Sequence, residues 1–133
     1  MNSRNRSVIK VLLPIPHKVL RPNGRTFSYG YRAKLVKQHR LAAMYAAINE
    51  LNEMEVCFDL GLPWRGATVS SQWAVCAKWD QDNAIASLKP YLDGLADAGI
   101  VSNDRDFTVL PPEMVVSRKM DTGIWITIQK CEE

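Results

Sequence analysis

The first 49 residues contain no aspartate or glutamate; the first acid is Glu50. The same stretch holds ten lysines and arginines, while the rest of the chain carries seven bases and all fourteen acids. The net charge of +3 hides this split. A basic, acid-free segment suits a polyanion such as nucleic acid and weighs against a small-molecule phosphoesterase. The acidic remainder needs a reason to hold its carboxylates near a polyanion, and a bound divalent metal is one.

Cysteine is scarce. Cys57, Cys76 and Cys131 are odd in number, far apart and form no CxxC pair. That excludes a disulfide framework and a zinc site of ordinary spacing, and leaves reduced thiols. Long apolar runs are also lacking. A membrane span needs roughly 18 such residues, and Val8–Ile15 is interrupted by Lys10 and Pro14. No long apolar region and no small-residue cleavage site follow Arg4 and Arg6, so a secretory signal is not expected. The expected location is the cytoplasm, without a membrane partner. No repeat or low-complexity segment is visible, and 133 residues allow one domain, 1–133, with residues 1–7 frayed.

The patterns that are present read as α+β: one mixed or antiparallel sheet with two main helices. Val8–Ile15 is β-branched and reads as a strand. Pro16 to Ser28 reads as a basic loop with a Pro-Asn-Gly turn. Tyr29 to about Asn52 has helical spacing, with Leu41, Met44, Tyr45, Ile48 and Leu51 as its apolar face. Its basic residues precede its acidic ones, the reverse of what the helix dipole favours. Local stability therefore did not choose that order, and a partner for the basic end is expected. Thr68 to Trp79 alternates as a half-buried strand. Asn83 to Ala98 is helical, capped by Asp82 or Asn83, broken near Lys89 with Pro90 opening a second helix, and closed at Gly99. Strands follow at about Phe107–Leu110, Met114–Arg118 and Gly123–Gln129, with a turn at Asp121–Gly123 between the last two.

The chemistry-bearing feature is Asp80-Gln81-Asp82-Asn83 at the end of the second strand. In extended backbone, residues i and i+2 share a face. Two carboxylates on one face repel unless a cation lies between them. Asp104 and Asp106, on a later loop, are positioned in sequence to complete the cluster. Oxygen-only ligands select a hard cation, of which Mg²⁺ is the usual one for phosphodiester hydrolysis. Capping, turn chemistry and solvated surface are the alternative readings of such a DxD.

Asp80-Gln81-Asp82-Asn83, Leu88-Lys89-Pro90-Tyr91-Leu92-Asp93-Gly94-Leu95 and Ala98-Gly99-Ile100-Val101-Ser102-Asn103-Asp104 together resemble the signature of RusA-type Holliday junction resolvases. The family pattern is roughly DxDN, then KxxxDxL, then AG followed by DD. The resemblance implies a phage or prophage homodimer of α+β fold, acting in a bacterial host. It implies paired symmetric nicks in four-way DNA junctions with Mg²⁺, or Mn²⁺ in its place, and no nucleotide cofactor. Carried over, Asp80, Asp82 and Asp104 are the metal-binding acids and Lys89 the lysine needed for cleavage. Lys18, Arg21, Arg25, Arg32, Lys34 and Asn83 are the expected DNA contacts. There are two departures. About three extra residues separate Asp82 from Lys89, and Asn103 stands where many members carry the first of two aspartates. Other readings are a nuclease for flaps or forks and a junction-binding protein that has lost catalysis.

Several residues have plainer readings. His17 and His39 are isolated, which suits surface or loop positions. Trp73 and Trp79 suit a core. Trp64, in a Gly/Pro loop, suits a packed anchor or, alternatively, a platform for an unpaired base. Asp97 suits solvent, and Asp93 either solvent or a role in the signature.

Overall fold

The computed structural model describes residues 7–21, 29–119 and 121–131. Of the expected basic loop, residues 22–28, with the Pro-Asn-Gly turn and Arg25, lie outside them, while Lys18–Leu20 forms a short 3₁₀ turn that buries Val19 and Leu20.

The sheet is built from β1 (Val8–Leu13), β2 (Ala67–Val75), β3 (Phe107–Val109), β4 (Glu113–Val116) and β5 (Gly123–Lys130). Its order is β1-β5-β2, with β3 and β4 both parallel to β2, while β5 is antiparallel to β1 and β2. β5 occupies one edge of β2, so β3 and β4 share the other. Pro111 and Pro112 stand between them; a proline cannot donate to a ladder, and the edge is broken there. β4 and β5 therefore lie on opposite sides of β2, so they do not form the hairpin expected around Asp121–Gly123; Asp121 and Thr122 take no regular structure and Gly123 opens β5.

Period-two alternation explains the core. Three cross-strand rows, Ile9–Ile128–Val69, Val11–Ile126–Ser71 and Leu13–Ile124–Trp73, are all buried. The two intervening rows, Lys10–Thr127–Ser70 and Leu12–Trp125–Gln72, lie on the other face, half-buried or exposed. Ser71 is the one polar member of the inner rows, and its hydroxyl accepts from Trp73 Nε1 at 2.9 Å. A buried indole donor needs such a partner.

Helix α1 (Tyr29–Glu55) crosses α3 (Lys89–Asp97) and β1. Its buried stripe is Leu35, Ala43, Ala47, Leu51 and Met54. The expected apolar face is thus rotated: Leu41 and Tyr45 are exposed, and small residues take their place. The cause lies in α3. A Cβ added to Gly94 would stand 2.1 Å from the Arg40 carbonyl oxygen and 2.8 Å from Ala43 Cβ. The two helices touch backbone to backbone, and such an approach admits only Gly and Ala at the crossing. A glycine within a helical pattern was the available sign of it.

Helix α2 (Gln81–Ser87) and α3 meet at Leu88, which ends the first and begins the second. Pro90 sits in the first turn of α3, where its missing N–H costs nothing. Gly99 follows α3 with φ +95°, a left-handed conformation that lets the chain leave the helix. The break and the stop thus fall where the sequence placed them.

Candidate active site

β2 ends at Val75, five residues before Asp80. Asp80 is the N-cap of α2, and its Oδ1 accepts the Asp82 N–H at 3.1 Å. Asp82 lies in the first helical turn and is exposed. Two expectations are corrected here. The cap is Asp80 rather than Asp82 or Asn83. The two carboxylates are not carried on one face by extended backbone; they gather at a helix N-terminus, where the dipole favours negative charge. A cleft of about 530 Å³ opens beside Asp80, lined by Lys78, Trp79, Gln81, Pro112 and Met114.

The other signature residues meet at the far end of α2. Lys89 Nζ donates to Asp93 Oδ1 at 3.0 Å, one helical turn on, and also to Asp104 Oδ2. Asp104 starts a 3₁₀ turn, Asp104–Asp106, which brings it against α3. The hydrogen bond from Lys89 lowers the Asp104 pKa, and the same bond raises that of Lys89. Arg40 joins this group from α1. Its Nη2 donates to Asp97 Oδ1 at 2.8 Å and its Nε to Oδ2, a bidentate pair. That pair lowers the Asp97 pKa and raises that of Arg40, with Asp93 and Asp104 adding smaller attractions to Arg40. Asp97 is exposed, as expected, and its carboxylate is also the partner of Arg40. Arg40 and Asp97 extend the group beyond the residues expected from the signature, and only the fold brings α1 to them.

Asn103 is the N-cap of the 3₁₀ turn, its Oδ1 accepting the Arg105 N–H at 3.1 Å. Asn and Asp cap about equally well. The departure from the family pattern at this position therefore keeps its local structural task.

The donor set at Asp80, Asp82 and Asp104 is all carboxylate oxygen, which fits a hard divalent cation. Among the described residues, no three of His, Cys, Asp and Glu are grouped closely enough to hold a metal ion. The geometry gives the reason. Asp80 and Asp82 stand at the start of α2, while Asp104 is drawn to Lys89, beyond the end of that helix. Mg²⁺ is commonly held by one or two carboxylates with water and substrate phosphates completing its shell, so the donors fit without a closed cage.

The expected DNA contacts divide. Lys18 and Lys34 are exposed, and Asn83 is half-buried in α2. Arg21 lies over the Trp79 ring, 3.9 Å from its centroid, and Arg32 donates from Nη1 to the Val19 carbonyl. Both arginines thus already have partners within the chain. Trp64 is buried, its Nε1 donating to the Leu60 carbonyl at 2.9 Å, so it is a loop anchor and not a base platform. Trp73 and Trp79 are core residues, as expected.

His17 and His39 are not isolated. His39 Nε2 accepts the His17 N–H at 3.1 Å, its Nδ1 faces the Leu35 carbonyl at 2.8 Å, and its ring stacks on Tyr91. This arrangement needs a neutral imidazole with its proton on Nδ1. Burial lowers the His39 pKa below 6.5, outweighing the opposing bond to Leu35. The unfolded chain then binds this proton more readily than the folded one. The His39 contribution to stability is full above pH 6.5 and declines as pH falls below it toward the native value. An NMR titration should give a His39 midpoint below that of a denatured control. Unfolding free energy should drop between neutral and mildly acidic pH. A midpoint above the control would contradict the assigned geometry.

No protein-family model matches the chain, and no curated protein does. Among solved structures, the thiamine-monophosphate kinase from Stenotrophomonas maltophilia K279a is similar at 9% identity with a TM-score of 0.36. The match covers 92% of this chain and 30% of that one. A likeness this slight carries no argument about function. The free thiols of Cys57, Cys76 and Cys131 agree with the absence of a disulfide pattern. Among the described residues, no helix is long and apolar enough to cross a membrane.

Proposed function

We propose that this chain is a Mg²⁺-dependent endonuclease of branched DNA, of the RusA type, resolving four-way junctions by paired nicks. The observation that carries the reading is the meeting of Lys89, Asp93 and Asp104 in one ion-paired group. These are three of the residues the resemblance marks, and only the fold brings Asp104 to the other two. The acid-free basic part of α1 reaches the same group through Arg40.

The acids Asp80, Asp82 and Asp104 would supply the carboxylate oxygens for Mg²⁺, one or two of them to any one ion, and the bound ion would supply an activated water and neutralise charge on the phosphate. Lys89 presents its ammonium to the scissile phosphate as charge builds there. Lys18, Lys34 and Lys37 hold neighbouring phosphates, contacts that add affinity without reading sequence. Two symmetric cuts call for two copies of the site, and a two-fold homodimer provides them.

The test is competition among substrates. With Mg²⁺, a four-way junction should be nicked in preference to a flap, a fork and a linear duplex, and junction binding should weaken steeply with salt. Equal cleavage of all four, or binding insensitive to salt, contradicts the proposal.

A further inference from the structure

We propose that the pocket framed by Arg21, Lys78 and Thr122 is a phosphate subsite, filled by one backbone phosphate of a DNA strand that continues into the cleft beside Asp80. This rests on the reading of the chain as a DNA-binding protein given above, and on no cation ligand.

The pocket measures about 370 Å³, and Ile15, Val75 and Trp79 supply its apolar lining. Its charged residues are Arg21 and Lys78, and among the described residues no acid lines it. Asp80, two residues from Lys78, lines the neighbouring cleft and not this pocket. Arg21 is held there by its face. Its guanidinium lies 3.9 Å from the Trp79 ring centroid, and Trp79 packs in turn on Trp73 at 5.3 Å. Both rings are buried, so the stack is a firm support for the guanidinium plane. Stacking uses none of the N–H donors. The Arg21 Nε is buried and has no hydrogen-bond acceptor. Buried donors are as a rule paired, and leaving one unmet is costly. A guanidinium already oriented on an aromatic ring, with a donor in want of an acceptor, suits the oxygens of a phosphate. Lys78 is exposed and lines the same pocket, so its ammonium can close on the anion from a second side.

The position of the pocket names the source of the phosphate. Lys78 and Trp79 line both this pocket and the cleft of Asp80. A strand gripped here is led past Lys78 to the carboxylates at the start of α2. Arg21, at the end of the Lys18–Leu20 turn, reaches Trp79 only through the fold.

The test is the salt dependence of junction binding without metal. Each phosphate neutralised contributes about 0.9 to the slope of log affinity against log salt. Lys78→Gln should weaken binding about 3- to 10-fold at physiological salt and lower the slope by about one. Arg21→Gln should do the same. The double variant should also lower the slope by about one and not two, because both cations serve one phosphate. Lys78→Arg keeps the charge and should keep most of the affinity. Lys130→Gln removes a charge beside Ala67, at the other end of β2 from Val75, and should leave the slope unchanged. Lys78 is exposed, so circular dichroism should show an unaltered fold in its variants. A slope reduced by two in the double variant, or an equal loss in Lys130→Gln, makes these cations independent surface charges and overturns the subsite. Calorimetric binding of inorganic phosphate that both single variants abolish, with junction binding unchanged, assigns the pocket to a free anion and overturns the DNA source. Wild-type junction binding and cleavage in both single variants overturns the subsite and leaves the nuclease reading standing. No junction binding by the wild-type protein at low salt overturns both.

Discussion

Asp82→Asn is expected to abolish Mg²⁺-dependent nicking of a four-way junction, by about a thousandfold, the rate equivalent of roughly 4 kcal/mol. Junction binding in Ca²⁺ should survive. The substitution is informative because Asp82 does little for the fold. Its side chain is exposed, and the cap of α2 is Asp80. What Asp82 adds locally is a negative charge in the first turn, worth about 0.3–1 kcal/mol. Asparagine keeps the shape and removes that charge. A loss of cleavage with unchanged melting therefore reports on chemistry. Full activity of the variant would remove Asp82 from the mechanism and with it the family reading of the Asp80–Asn83 segment.

Among the described glycines, Gly94→Ala is expected to meet the closest contact and to be strongly destabilising. The added carbon would collide with the Arg40 carbonyl, and backbone cannot rotate aside as a side chain can. Overpacking of this kind costs about 3 kcal/mol, which for a domain of this size lowers Tm by about 10 °C. Moving α3 off α1 also stretches the Arg40–Asp97 pair, so activity should fall along with stability. Gly30→Ala is the natural comparison. Gly30 is also helical, but nothing lies within 4 Å of an added Cβ, and alanine there should raise stability by up to about 1 kcal/mol. Thermal melts of the two variants separate a packing requirement from a general effect of helical glycines. A Gly94→Ala protein melting within a degree or two of wild type would contradict the close crossing of α1 and α3.

The elements were legible in the sequence because their signals are local. Alternation marked β2, helical spacing marked α1 and α3, and Pro90 and Gly99 marked the break and the stop. The errors arose where distant contacts decide. The large apolar residues of α1 pointed to a face through Leu41 and Tyr45, but the crossing with Gly94 selected the small residues Ala43 and Ala47. The pairing of β5 with β2, between β1 and the parallel edge strands, depends on partners far apart in the chain. The short turn before Gly123 read locally as a hairpin. At the site, the order of acids and lysine was legible, while their grouping was not. Asp80 and Asp82 sit at one end of α2, with Lys89, Asp93 and Asp104 at the other. Arg40 and Asp97 carried no local mark, since 57 residues separate them and only tertiary packing brings them together.

The proposed activity is cleavage of branched DNA by paired, metal-dependent nicks. The most direct measurement is a cleavage assay on a mobile four-way junction, mapped at nucleotide resolution with and without Mg²⁺. Nicks at symmetric positions on two opposing strands, present only with the metal, are the predicted result. Binding of the junction with no nick at any Mg²⁺ or Mn²⁺ concentration would contradict it.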